Sequence, residues 1–95
     1  MTNKRTRQYK KLLAALPKEI QEAATEAYKI FKKDPNSPMF MAKEPKYTRT
    51  SNLKPNSIIL RLNDNYRIVY AIDGEDRVFY FIGNHSDYNK LVGRT

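Results

Sequence analysis

Arg61, Arg67 and the chain's one histidine, His85, are the residues whose chemistry could move a proton or a phosphoryl group. An arginine offers a planar, permanently charged fork that matches phosphate. A histidine, with an unperturbed pKa of about 6.5, donates or accepts a proton near neutrality. Cleavage of RNA by its own 2′-hydroxyl needs a base on the attacking oxygen, cations on the developing phosphorane charge, and an acid on the departing 5′-oxygen. Gly83, close to His85, leaves room for a ligand backbone to approach. Upstream, Lys43, Lys46, Arg49 and Lys54 form a looser group of cations suited to RNA phosphates, and Tyr47 among them could stack on a base.

These residues need elements to position them. Tyr9, Leu12, Leu13 and Leu16 recur at helical spacing, so residues 6–16 are expected to be a helix that Pro17 ends. Ile20, Ala23, Ala24, Ala27 and Phe31 line one face of a second helix, which Asp34-Pro35 stops. Early acids and late lysines suit its dipole. Residues 36–55 have no clear period and read as a crossover loop. From Ser57 the period becomes two, giving three strands around residues 57–62, 66–72 and 78–83. They are joined as a meander through Asn63-Asp64-Asn65 and Asp73-Gly74-Glu75-Asp76. Ser86 to Leu91 suits a helical turn. The expected fold class is therefore α+β, a helical hairpin on a twisted antiparallel sheet of three to four strands. The first five residues are polar without alternation and show no evident strand.

Parity fixes a register. Core faces of neighbouring strands must coincide, so paired residues share parity. A three-residue first loop, with Asn65 left-handed, sets Arg61 opposite Arg67. A five-residue second loop pairs Ile72 with Val78, Tyr70 with Tyr80 and Arg67 with Gly83. His85 then falls about 7 Å further along the same face. Two like charges facing each other destabilise a sheet, which a phosphate-binding groove would explain. The even-numbered face should lie under the helices. The odd face should be open, with an apolar end at Val69, Ala71 and Phe79 and a polar end at Arg61, Arg67, Gly83 and His85. Each of these polar residues has a bland counterpart: arginines that are solvated or paired with Asp64 or Glu44, a histidine that is a cap or a surface residue, a charged loop. Their convergence at one end of one face is what points to chemistry.

The bulk numbers agree. Ninety-five residues make a single domain, 1–95. A domain of this size buries only roughly 60–65% of its unfolded surface. There is no cysteine and one histidine, so neither disulfides nor a structural zinc site is expected, and no metal or cofactor is implied. Neither a signal peptide nor a membrane span is evident, which suits a cytoplasmic protein. A formal charge of +8 and a pI near 9.8 predict attraction to a polyanion.

The ordered motifs resemble the RelE/ParE superfamily of bacterial toxin–antitoxin systems. Those motifs are Leu16-Pro17-Lys18-Glu19-Ile20-Gln21, Asp34-Pro35 through Lys43, Tyr66-Arg67-Ile68-Val69-Tyr70, Asp73-Gly74, and Gly83-Asn84-His85-Ser86-Asp87-Tyr88-Asn89-Lys90-Leu91. They span residues 6–91 in order, although each is short. The resemblance implies the toxin of a type II system, and the YafQ/RelE-like members imply a metal-independent endoribonuclease (an mRNA interferase) acting on ribosome-bound mRNA. Arg61 and Arg67 would then hold the scissile phosphate, His85 would be the general acid or base, Tyr88 the late aromatic, and Lys43 a loop cation. An acidic antitoxin would be the partner in a hetero-oligomer, lying near Val69 and Phe79. The sequence departs from the pattern at Ile59, where RelE-type members carry a second lysine, and in the missing first strand. The alternative is a non-catalytic member of the same fold, either a ParE-like gyrase inhibitor or an inactive toxin bound to its antitoxin.

Overall fold

A computed structural model describes residues 2–45 and 52–93. Among them the elements run β1 (Thr2–Arg5), α1 (Arg7–Ala14), α2 (Lys18–Lys33), a 3-10 turn (Pro38–Phe40), β2 (Ser57–Arg61), β3 (Tyr66–Asp73), β4 (Asp76–Asn84) and α3 (His85–Leu91). The strands form one sheet in the order β1-β4-β3-β2.

The first strand exists although its sequence hides it. Thr2–Arg5 runs parallel to β4, so the sheet is mixed rather than wholly antiparallel. An edge strand needs no alternating pattern when backbone bonds hold it, and its charged side chains discourage pairing with another chain. The Thr2 and Thr6 amides donate to Glu75 and Phe79 carbonyls at 3.1 and 3.0 Å, and Lys4 pairs with Asp76 at 2.9 Å. Thr6 then caps α1, its hydroxyl accepting from the Tyr9 amide at 3.0 Å.

The helical hairpin lies where its periodicity predicts. Gln21 ties the two helices together by donating its side-chain amide to the Leu16 carbonyl at 2.9 Å and the Ala14 carbonyl at 3.2 Å. Tyr9, Ala24, Ala27 and Phe31 are buried against Leu60, Ile68, Tyr70, Phe79 and Ile82 of the sheet. Phe31 meets Phe40, Tyr70 and Phe79 edge-on, with centroids 5.3–5.7 Å apart, the geometry aromatic quadrupoles favour. The 3-10 turn thus pins the start of the long loop to α2.

The β2–β3 register is the expected one, with Arg61 opposite Arg67. Its turn is built differently. Asn65 does not adopt a left-handed conformation; the Asn63 side chain closes the turn by accepting from the Asn65 and Tyr66 amides at 2.9 and 3.0 Å.

The β3–β4 register departs from strict parity. Val69 faces Phe81 but Tyr70 faces Phe79, so Tyr80 is an extra residue in a β-bulge. Asp73 pairs with Asp76 across a tight turn at Gly74-Glu75, Gly74 being left-handed at φ +62°, where a Cβ would be strained. The expected pairs Tyr70–Tyr80 and Ile72–Val78 are therefore replaced by Tyr70–Phe79 and Ile72–Arg77. Beyond the bulge the register returns to expectation, with Arg67 opposite Gly83.

The bulge also moves side chains between layers. Phe79 joins the helix-side core. Tyr80 joins Ile59, Val69, Ala71, Phe81, Tyr88 and Val92 in a second core on the opposite face. Leu53 and Leu91 pack on that second core, bringing the end of the long loop and α3 over it. The expected open apolar end is thus closed: Val69 and Phe79 are 0% and 2% exposed, so neither can receive a partner chain.

Candidate active site

The two arginines are set by the β2–β3 hairpin. In the row Arg61–Arg67–Gly83, paired residues share a face, which is the side opposite the helical hairpin. One row back runs Lys43–Ile59–Val69–Phe81, because the Lys43 amide donates to the Ile59 carbonyl at 3.1 Å and Ile59 returns the bond at 2.9 Å. This bridge brings exposed Lys43 onto the arginine face, two residues along from Arg61.

Both guanidinium groups are already engaged. Arg67 donates to the Asn63 and Tyr66 carbonyls at 2.6 and 3.0 Å, which orients it over the turn. Arg61 pairs with Asp64 of the same turn, the bland pairing the sequence also allowed. That ion pair is solvated, its side chains 37% and 84% exposed, so it is weak and an anionic ligand can displace it.

His85 is placed by a helix cap. The Asn84 side chain accepts from the Asp87 amide at 2.9 Å, turning the chain from β4 into α3, and Asp87 in the first turn suits the helix dipole. His85 becomes the first residue of α3 and is exposed just past the Arg67–Gly83 row. Its ring centroid is 6.3 Å from that of Tyr88. Tyr88, in turn, is 5% exposed and belongs to the second core, so it supports the histidine from beneath. The Asn84-x-x-Asp87 spacing was readable as a cap and is the signal that would have fixed where His85 points.

Gly83 serves a different purpose from the one expected. A Cβ there would come within 2.8 Å of Phe81 Cζ and 3.3 Å of Asp87 Cβ. The space is filled by the protein itself and lets α3 fold closely against β4; it is not a slot for a ligand backbone.

Of the loop cations, Lys54 lies elsewhere. Its amide donates to the Tyr80 hydroxyl at 3.1 Å and its Nζ sits 5.5 Å over that ring. Ser57, bonded to the same hydroxyl, begins β2, whereas Arg61 ends it, a separation of about 13 Å along the strand. Lys46, Arg49 and Tyr47 fall outside the described residues. Register therefore sets Arg61, Arg67 and His85 at one end of the sheet, with Lys43 one row back beside β2 and Tyr88 buried next to His85.

A helical hairpin packed on one face of a four-stranded mixed sheet is a fold this chain shares with solved structures of toxins from toxin–antitoxin systems. YafQ from Escherichia coli strain BL21(DE3) aligns over 90% of this chain and 94% of its own, with a TM-score of 0.69 at 9% identity. RelE in the RelB–RelE antitoxin–toxin complex of Methanococcus jannaschii gives 0.69 at 15% identity, over 90% and 93% of the two chains. The toxin–antitoxin complex RelBE2 of Mycobacterium tuberculosis gives 0.62 at 22%, over 88% and 96%. At these identities the likeness is one of fold. No family model and no curated protein matches the sequence. No helix among the described residues is long and apolar enough to cross a membrane.

Proposed function

We propose that the chain is the toxin of a type II toxin–antitoxin system and a metal-independent endoribonuclease that cleaves ribosome-bound mRNA in the cytoplasm. The observation that carries this reading is the row Arg61–Arg67 with exposed His85 beside it. Two cations held face to face repel, and the one carboxylate beside them, Asp64, is solvated and displaceable by a phosphate.

In the reaction, the substrate's 2′-oxygen attacks the adjacent phosphorus, the P–O5′ bond breaks, and a 2′,3′-cyclic phosphate and a 5′-hydroxyl result. Arg61 and Arg67 neutralise the charge that grows on the phosphorane oxygens. Arg61 exchanges Asp64 for the phosphate, while Arg67 keeps its turn carbonyls and offers its remaining N–H groups. His85 exchanges the proton at one of the two reacting oxygens and water does so at the other, so that the 2′-hydroxyl loses a proton and the 5′-oxygen gains one. Lys43 holds a neighbouring phosphate, and Tyr88 fixes the histidine's helix. The partner is an acidic antitoxin, in keeping with the charge of +8 and with the RelB complexes of the RelE neighbours.

The test is induced expression in a bacterial host, with wild type beside His85→Ala and Arg67→Ala. Growth arrest with mRNA cleavage, relieved by both substitutions, is the expected result. Arrest that persists in His85→Ala removes the proton-transfer role. A second reading, a non-catalytic binding protein of this fold, is favoured by the partners both arginines already have. It predicts arrest, or antitoxin binding, without any RNA cleavage.

A further inference from the structure

A second group of cations lies on the helix side of the sheet, away from Arg61 and Arg67. We propose that Arg5, Lys32 and Arg77 form a separate surface that grips the phosphate backbone of double-helical RNA. This rests on the RNA-directed reading above.

Tyr28 of α2 organises the group. The Arg5 guanidinium lies 4.8 Å from its ring centroid and the Lys32 ammonium 5.2 Å from the same centroid. Two positive charges therefore sit within about 10 Å of each other, close enough to repel at ordinary salt. Among the described residues neither has a carboxylate within ion-pair reach; the three ion pairs found there join Lys4 to Asp76, Lys29 to Glu26 and Arg61 to Asp64. Arg77 extends the group, 5.4 Å from the Phe31 ring centroid and paired across β4–β1 with Asn3. Arg5 pairs with Phe79, a helix-side residue, so Asn3 and Arg5 share that face. Exposed Lys33 follows on α2.

Rings under cations stabilise the free protein, yet they leave the charges of Arg5 and Lys32 without a carboxylate partner among the described residues, while Arg77 also hydrogen-bonds the Tyr70 side chain. A polyanion with closely spaced charges is the ligand that satisfies them. With two cations over its ring, Tyr28 offers no platform for an unpaired base and no apolar seat for a protein helix, which leaves backbone phosphate. A single strand threaded past Arg61 and Arg67 meets the opposite face of the sheet. A folded RNA that presents both a free strand and a neighbouring duplex can engage both surfaces.

The experiment measures binding of the full chain to a 20-base-pair RNA duplex by fluorescence anisotropy between 50 and 200 mM salt. Wild type is compared with the doubles Arg5→Gln/Lys32→Gln, Arg5→Lys/Lys32→Arg and Arg61→Gln/Arg67→Gln. Each phosphate contact contributes roughly one unit to the slope of log affinity against log salt. The glutamine double at Tyr28 is expected to lose about two units, so its affinity loss over that range is about tenfold smaller than that of wild type. The charge-conserving double is expected to keep the wild-type slope, which separates lost charge from lost packing. An unchanged slope in Arg5→Gln/Lys32→Gln overturns the proposal. So does a loss of polyglutamate or anionic-vesicle binding in that variant while duplex binding stands. Because the duplex is not cleaved, the outcome is independent of catalysis: a wild type that cuts no RNA removes the nuclease reading, whereas the slope decides the surface.

Discussion

Gly83→Ala tests whether the glycine beside the candidate site belongs to the protein's own packing or to a ligand. The added methyl would sit 2.8 Å from Phe81 Cζ and 3.3 Å from Asp87 Cβ. Phe81 is 6% exposed, so its ring can yield only by disturbing the second core. Overpacking of this kind costs typically about 1–3 kcal/mol. Alanine also restricts the unfolded chain, which returns about 0.4–1 kcal/mol because Gly83 is not in a left-handed conformation. The net expectation is a loss of about 1–2 kcal/mol, or roughly 4–15 °C in Tm for a domain of this length. Urea unfolding of Gly83→Ala, Phe81→Leu and the double variant measures it. Shortening Phe81 should relieve the clash, so the double is expected to be more stable than the sum of the singles by about 1 kcal/mol. If Gly83→Ala is as stable as wild type and only RNA binding falls, the glycine belongs to the ligand and the packing argument is wrong.

Tyr80→Phe removes a hydroxyl that lies 2.6 Å from Ser57 Oγ and accepts from the Lys54 amide at 3.1 Å. A stability loss of about 1–2 kcal/mol is expected, with faster hydrogen exchange at Lys54 than at Arg67; unchanged exchange at Lys54 would count against this anchor. Asp64→Asn frees Arg61 from its surface pair, so stability should change by no more than about 1 kcal/mol. Phosphate-backbone affinity, read as RNA binding at low salt, should rise. Alkaline pH should weaken the fold through Tyr9. Burial pushes its hydroxyl up to about 12, with Arg5 pulling the other way. The unfolded chain ionises first, so stability is whole below pH 10 and falls as pH rises towards 12, by roughly 2–3 kcal/mol. Burial raises Tyr70 as well and adds in the same direction. Urea midpoints at pH 9 and 11 check this, and Tyr9→Phe should flatten the difference.

Much of the architecture was legible because periodicity reports burial directly. The helix faces through Tyr9 and Phe31 and the alternation from Ile58 to Ile72 each had one geometric solution. Arg61 opposite Arg67 followed from parity with the shortest loop, whereas Arg67 stands opposite Gly83 because the tighter turn at Gly74-Glu75 and the bulge at Tyr80 offset each other. β1 was not legible, since backbone bonds and an edge position place no demand on Thr2–Arg5. The bulge was hidden because Phe79, Tyr80 and Phe81 are all aromatic: with three large apolar residues in a row, hydropathy cannot say which face each takes. Val69 takes the expected face and looked exposed because alternation does not report that the end of the long loop and α3 cover that face. The candidate residues were legible by type and Asp64 by proximity, and the Asn84-x-x-Asp87 cap was readable but overlooked. Which anion Arg61 takes depends on turn geometry that spacing does not fix.

Tyr80 has a consequence for how this strand tolerates change in length. Losing one residue from a strand ordinarily turns every later side chain to the wrong layer. Here the ladder counts two residues of β4 against one step of β3, so excising Tyr80 would leave Phe79 and Phe81 facing their present neighbours, Tyr70 and Val69. What would disappear is the hydroxyl that fastens Ser57 and the end of the long loop. The residue is thus dispensable to the ladder's register, and what it contributes is its ring in the second core and its hydroxyl at the loop. A deletion there would be felt as a cavity in the second core and a loosened loop, while every later residue of β4 kept its face.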